Sequence, residues 1–298
     1  MIAVEPRTMA LGRRKVGIDD ASAWVFNRMA DVYGARPRYP TALVDALATL
    51  AGPVGSRIGD LGAGIGHLAL PLAERGYDVV AIEPAQAMLD RLRAAAVDRG
   101  FGLRGIGLRG KGLRALHAPA EALPLDAASL DMVVVADALH FMDAELAAGE
   151  IARVLVPRGA LALVTCELGK TAFMRDVVRL IHDAVPRRPR DLAGPMVHVS
   201  AVTGVAFTDE RRFHDETRVD HATLDRILRS ISFIGPAMNP ARFADFREKV
   251  HALSDAPVWA RTFILRSGRR LPRPRPDQKK TREMTQNSGT RIAPDQTI

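Results

Sequence analysis

An open α/β sheet, mostly parallel and covered by helices on both faces, follows from three observations. Short apolar, β-branched runs alternate with helical patterns from about residue 54 to 166. Such alternation builds parallel sheets whose crossovers are helices. A glycine-rich turn, Asp60-Leu61-Gly62-Ala63-Gly64-Ile65-Gly66, joins the first apolar run to an apolar helical pattern. An acid, Glu83, closes the next run, Val79-Val80-Ala81-Ile82, about 20 residues further on, where open α/β sheets place a ligand-binding carboxylate.

The elements follow in order. Residues 1–18 carry no pattern and are expected to be flexible. Asp19 or Asp20 can cap a first helix, in which Phe26, Met29, Ala30 and Tyr33 share one apolar face. A second helix covers roughly 41–50 and stops before Gly52-Pro53. The first strand is expected near 56–61, its helix near 65–75 with Gly76 as terminator, and the second strand near 78–82. Pro71 fits that helix only in the first turn, where few N–H groups have partners. The next helix, near 85–98, ends at Gly100. Residues 100–114 then break the pattern. Gly102-Leu103-Arg104, Gly107-Leu108-Arg109 and Gly112-Leu113-Arg114 repeat at a five-residue interval, without an acid. This reads as a mobile loop inserted before a third strand near 114–118. A tolerated surface insertion explains it more simply than a flap for an anionic substrate or RNA.

Strands four and five are expected near 130–136 and 160–166. A helix over 170–184 leads to an exposed Pro186-Arg187-Arg188-Pro189-Arg190 loop, and an extended segment spans roughly 206–219. Leu224, Ile227, Leu228 and Ile231 form one helical stripe; Phe243, Phe246, Val250 and Leu253 form another. Both read as packing faces. The last strand runs from 258 to 265.

Composition narrows the function. The chain has 298 residues, 47% of them hydrophobic, enough for a substantial core. No apolar run approaches the ~20 residues that span a bilayer. Arg13, Arg14 and Lys15 interrupt the N-terminal apolar residues, so no signal peptide is expected. Cys166 is the one cysteine, which excludes an intrachain disulfide and fits a reducing, cytoplasmic setting. No histidine pair has H-x-x-x-H spacing, so no dedicated metal is expected. The net charge of +8 is concentrated in residues 266–298, where nine basic side chains meet three acids. That Pro/Arg-rich stretch is expected to be a disordered basic tail from 267 onward.

The glycine turn carries the chemistry. Without a Cβ, a ligand can approach the backbone, and a helix N-terminus offers unpaired N–H groups to a negative group. A dinucleotide fingerprint needs glycine at its first, third and sixth positions. Gly62 and Gly64 fill two of these, but the sixth is His67, which disfavours a nicotinamide dehydrogenase. The third glycine comes early, at Gly66, and Asp60 precedes the first by two residues.

Acid-x-Gly-x-Gly-x-Gly resembles motif I of the class I S-adenosylmethionine (SAM)-dependent methyltransferases, and further segments extend the resemblance over about 200 residues. Ala35-Arg36-Pro37-Arg38-Tyr39-Pro40 resembles the entry to the first core helix in the small-molecule group of the ubiquinone-biosynthesis and trans-aconitate type. Ala118-Pro119-Ala120-Glu121-Ala122-Leu123-Pro124-Leu125 resembles its loop to the adenine. Ser129-Leu130-Asp131-Met132-Val133 resembles the start of its fourth strand. Ala136-Asp137-Ala138-Leu139-His140-Phe141 resembles its motif beside the methyl group. Glu150-x-x-Arg153-Val154-Leu155-x-Pro157-x-Gly159 resembles the helix and turn before strand five.

The resemblance implies a Rossmann-like, seven-stranded, mostly parallel sheet with helices on both faces and a helical cap before the last strand. It implies a methyltransferase domain over 19–266, with its core at 41–166 and its cap and edge hairpin at 167–266. The implied SAM-binding residues are Asp60, Gly62, Ala63, Gly64, Gly66, Glu83, Pro84, Met88, Ala120, Glu121, Ala136 and Asp137. Asp60 would orient the amino-acid end, and Glu83 would accept both ribose hydroxyls. His140 is the candidate base or acceptor orienter, its ordinary pKa of about 6.5 suiting either role. His67 is a lesser candidate, facing the amino-acid end. Tyr33 and Arg36 resemble a lid over the methyl group, with Arg36 either pairing an acceptor carboxylate or fixing the loop. The activity implied is methyl transfer to a small organic acceptor, at oxygen or carbon. A non-catalytic SAM-binding regulator or partner subunit remains open, as does an RNA methyltransferase using the basic loop and tail. Neither the acceptor nor the oligomeric state follows from the sequence.

Overall fold

A computed structural model describes residues 25–101, 112–185 and 193–271. The Asp19 or Asp20 cap, the first two Gly-Leu-Arg repeats, the 186–190 loop and the chain past 271 lie outside the described residues.

Two helices, α1 (Val25–Tyr33) and α2 (Thr41–Ala51), precede a seven-stranded sheet. Strands β1 (Arg57–Leu61), β2 (Asp78–Glu83), β3 (Gly112–His117), β4 (Leu130–Ala136), β5 (Leu155–Leu168), β6 (Asp209–Arg218) and β7 (Val258–Arg269) stand in the order β3-β2-β1-β4-β5-β7-β6. The first five pair in parallel, and the β6–β7 hairpin joins β5 antiparallel. Helices α3 (Ala69–Glu74), α4 (Gln86–Asp98) and α5 (Ala144–Val154) make the crossovers. Every residue of β2 is buried, because each face of the sheet meets its own apolar layer. Ile58, Val79 and Leu113 point into one layer, and Leu61, Val80 and Ile82 into the other. Alternation along each strand produces that split.

The register sets the site. Leu61 lies opposite both Ile82 and Val135, so Gly62, Glu83 and Ala136 leave the sheet at one level. The order reverses between β1 and β4, the switch point where open α/β sheets bind ligands.

Past β5, α6 (Ala172–Ala184), α8 (His221–Arg229) and α9 (Pro240–His251) pack on one another around a separate apolar cluster with Trp259 and Ala260. Both predicted stripes are buried there, except that Ile231 is half-buried and Leu253 is 36% exposed. Helices α8 and α9 form the expected cap between β6 and β7.

Four expectations change. Helix α3 begins at Ala69 rather than near 65, because residues 62–68 form an irregular turn. Pro71 therefore sits in the first turn, the one position where it costs little. The third Gly-Leu-Arg repeat is not loop: it opens β3, with Arg114 only 4% exposed. Strand β5 starts at Leu155, where its pairing with β4 shifts register. Strand β7 continues through Arg269, Ser267 is 3% exposed, and the Arg270 N–H donates to the Gly159 carbonyl at 2.9 Å. A tail starting at 267 is therefore too early. A further helix, α7 (Ala193–Thr203), packs on α5 and was not foreseen.

Candidate active site

The turn after β1 is shaped by its own contacts before any ligand is considered. Gly62, Gly64 and Gly66 all have positive φ, at 72°, 56° and 88°, a region glycine enters without penalty. A Cβ on Gly62 would stand 2.7 Å from the Ala138 methyl, and one on Gly66 3.0 Å from Leu70 and Leu92. Gly64 differs: its nearest neighbour would be Tyr33, at 3.7 Å. Two glycines thus serve close packing, and the middle one opens onto free space.

Four main-chain N–H groups of the turn are already used. Gly62 and Ala63 donate to the Ile82 carbonyl at 2.9 and 3.1 Å, and Gly66 to Ala63 at 2.9 Å. Gly64 donates to Glu83 Oε2 at 2.8 Å, and the Ala69 N–H is hydrogen-bonded to the Asp60 carboxylate. The row of donors expected for a negative group is thus partly taken up, by strand β2, by the Ala63 carbonyl and by two carboxylates.

Glu83 also accepts from Ala85 N–H at 2.8 Å and is 6% exposed. Burial raises its pKa against those two hydrogen bonds. Asp60 is 2% exposed, and its Oδ2 has no hydrogen-bond partner among the described residues. Burial and the nearby Glu83 push its pKa up to about 7. Asp137 ends β4 with φ at 49° and donates its N–H to Val164 O at 2.7 Å. A short polar residue tolerates this left-handed conformation. Its charge raises the pKa values of Tyr33, Tyr39 and Cys166, though burial is the main cause in each.

These groups border one cavity of about 660 Å³, within the ~300–1,000 Å³ range of small-ligand sites. Gly62, Gly64, Glu83, Pro84, Met88, Glu121, Ala136 and Asp137 line it, together with Tyr33, Arg36, His67 and His140. The remaining candidates, Asp60, Ala63, Gly66 and Ala120, are buried behind it. Ala120 packs in the core beneath its loop. The Glu150–Arg153 pair holds that loop: Glu150 accepts from Leu123 N–H at 2.7 Å, and Arg153 donates to the Leu123 and Leu125 carbonyls. Glu121, on the same loop, accepts from Asp143 N–H at 2.7 Å. His140 lies on a single 3₁₀ turn, its ring 3.9 Å from that of Phe141.

The opposite wall had weaker signals. Arg36 donates through Nε to Ser230 Oγ at 2.9 Å, through Nη2 to Ser230 O at 2.6 Å, and through Nη1 to the Tyr33 hydroxyl at 3.2 Å. It is therefore occupied in joining the lid to the cap. His67 stacks near Tyr33, and burial with surrounding arginines lowers its pKa to about 4, leaving the ring neutral. Sequence reasoning missed Arg261, Trp259, Phe263, Ile181, Ile227 and Phe233, all of which line the cavity. Arg261 pairs with Asp215 and donates to the carbonyls of Pro37 and Arg38, both at 2.9 Å. A lone arginine in an apolar strand was the available signal, since a buried charge requires partners.

Residues 59–163 match the methyltransferase domain family. Over 129 residues the chain is 44% identical to an uncharacterized methyltransferase of Mycobacterium tuberculosis, covering 43% of this chain and 46% of that one. Over 75 residues it is 43% identical to a 23S rRNA (uracil(1939)-C(5))-methyltransferase of Pseudomonas putida, covering 25% and 16%. The chain spans about half the length of the mycobacterial relatives it matches. Among solved structures, a candidate type II methyltransferase from Anaeromyxobacter dehalogenans is similar at a TM-score of 0.56 and 24% identity, over 80% of this chain and 99% of that one. The YcgJ protein of Bacillus subtilis is similar at 0.53 and 18%, over 78% and 99%. At those identities the likeness is one of fold.

The methyl donor of such domains is SAM. Its features meet the residues present: a cationic sulfonium and ammonium, a diol and no phosphate. The buried Asp60 and Glu83 carboxyls and the half-buried Asp137 favour a cation, and the orphaned Asp60 oxygen can still accept a hydrogen bond.

Proposed function

For a chain that carries a SAM-dependent methyltransferase domain, we propose transfer of a methyl group from SAM to a small organic acceptor, at oxygen or carbon. The observation that supports this best is the shared cavity. One side presents bare Gly64 backbone and the Glu83 carboxylate at the strand ends, and the other is closed by α6, α8 and the loop after α8. Bound there, the sulfonium supplies an already electrophilic methyl, so the protein's task is to hold the acceptor in line and exclude water.

Glu83 would accept hydrogen bonds from the ribose hydroxyls with its remaining lone pairs. Asp60 would orient the amino-acid end from behind the turn, directly or through water. Met88 and Pro84 would pack against the nucleoside, beside the backbone of residues 120–121. Ala136 and Asp137, ending β4, would border the methyl group. His140 would receive or orient the acceptor's proton, and Tyr33, held by Arg36, would cover the reacting face. The protein would be divided as a core to 166, with a cap and edge hairpin reaching Leu271.

Radiolabelled methyl transfer from SAM into a fractionated cell extract tests this, because it reports turnover and acceptor size together. Label in a small-molecule fraction is the expected result. Label in RNA, falling steeply with salt as polyanion binding does, would replace the reading with RNA methylation. Tight SAM binding without label in any fraction would leave a non-catalytic binder.

A further inference from the structure

We infer that the acceptor half of the cavity takes an uncharged, mainly apolar small molecule with a single protic group at the reacting end, rather than an organic acid. This rests on the methyl-transfer reading above. Three observations carry it.

The wall itself is apolar. Ile181, Ile227 and Trp259 face the cavity at 5%, 1% and 3% exposure, and the half-buried Ile231 and Phe233 extend the wall from the cap loop. Hydrocarbon surface buried against them gains about 25 cal/mol per Å².

Both arginines that reach this half are engaged. Arg36 places three of its five N–H donors on Ser230 and Tyr33, and its guanidinium lies 4.2 Å from the Tyr33 ring centroid. Arg261 is 8% exposed, neutralised by Asp215 and bound to two main-chain carbonyls. Redirecting either toward a carboxylate would break charged hydrogen bonds and release the lid from the cap or the 37–38 loop from β7.

Apart from His140 at the reacting end and the hydroxyls of Tyr33, Tyr39 and Ser232, the remaining polar groups give an anion no cationic partner inside the cavity. Asp137 and Glu83 border the cavity. The Cys166 thiol is held neutral, its pKa pushed up to about 12 mainly by burial, and His67 is neutral as well. His182 and Glu167 stand exposed at the mouth, where water screens them. A carboxylate set against Ile181, Ile227 and Trp259 would be buried without a partner, which is costly.

The test uses the full-length protein loaded with S-adenosylhomocysteine, the demethylated donor, and titrates it by calorimetry at neutral pH. The probes are 1-naphthol, neutral, and 1-naphthoate, of similar size but anionic. Naphthol should bind at least tenfold tighter. Ile231→Asp should weaken naphthol at least fivefold while leaving S-adenosylhomocysteine affinity unchanged, which also reports that the variant is folded. Naphthoate binding equally or better, or neither probe binding, overturns the inference. So does naphthol binding that a folded Ile231→Asp does not disturb. Failure of S-adenosylhomocysteine itself to bind would instead sink the methyl-transfer reading.

Discussion

The two halves of the cavity are built by opposite means. The donor half is main chain and carboxylate, drawn from short segments at the ends of adjacent parallel strands. Gly62, Gly64 and Glu83 lie close in sequence, and their positions follow from strand register. The proposed acceptor half is side chain, gathered from α1, β5, α6, α8 and the loop after it, and β7. The first is rigid, because backbone hydrogen bonds fix it. The second is held by a few long-range clasps, chiefly Arg36 on Ser230 and Arg261 on the 37–38 loop. On the proposed reading, change in the acceptor half would alter what is methylated without touching how the donor is held.

The largest expected break in that contrast comes from Glu83→Ala. It should weaken SAM binding by ten- to a hundredfold in calorimetry, since hydrogen bonds to a charged group contribute roughly 1.5–3 kcal/mol each. An unchanged affinity would contradict the assignment. On the other side, Arg36→Ala should raise the acceptor KM about tenfold and lower stability by about 1–3 kcal/mol, with SAM affinity within about twofold. A larger loss of SAM than of acceptor affinity would show that the halves are not separable.

Asp60→Asn sharpens the comparison through pH. The Asp60 carboxyl titrates near 3.8 unfolded and about 7 folded. Its contribution to stability is thus present below the unfolded value and lost as pH rises through the folded one. The variant should gain stability relative to the parent between about pH 4 and 7, by on the order of 1–3 kcal/mol, while binding SAM more weakly. Denaturation midpoints measured across that range would show it, and a constant difference would refute it. His67 acts oppositely in the parent, because its depressed pKa removes stability as pH falls from 6.5 toward 4; comparing variant with parent cancels that term. The smallest effect belongs to the C-terminus. Truncation after Leu271 should leave melting temperature and SAM affinity unchanged, whereas truncation after Arg266 should lower the melting temperature by several degrees, since it removes residues paired in β7.

What could be read from the sequence divides along the same line. The donor half was readable because Asp60, the three glycines and Glu83 form one local pattern, and strand alternation gives the sheet. The acceptor half was not, because Ile181, Phe233 and Trp259 meet only after the chain has folded, and each alone looks like ordinary core. Arg36 illustrates the limit: its segment was recognisable, but its choice of Ser230 over a substrate carboxylate depends on a residue 194 positions away. Helix α7 escaped because Ala193–Thr203 is apolar all round and shows no stripe. The start of α3 was misjudged because the turn runs on past Gly66, whose positive φ keeps it out of the helix.

Because Gly62 and Gly66 are wedged against Ala138, Leu70 and Leu92 rather than against a ligand, selection for mere foldability would retain them. A descendant that had abandoned its chemistry would still display those two glycines, and an alanine there would report misfolding rather than lost catalysis. Position 64 faces open space, yet its φ of 56° strains any side chain placed there, so an alanine at that position needs its own check of folding before a lost ligand is read from it.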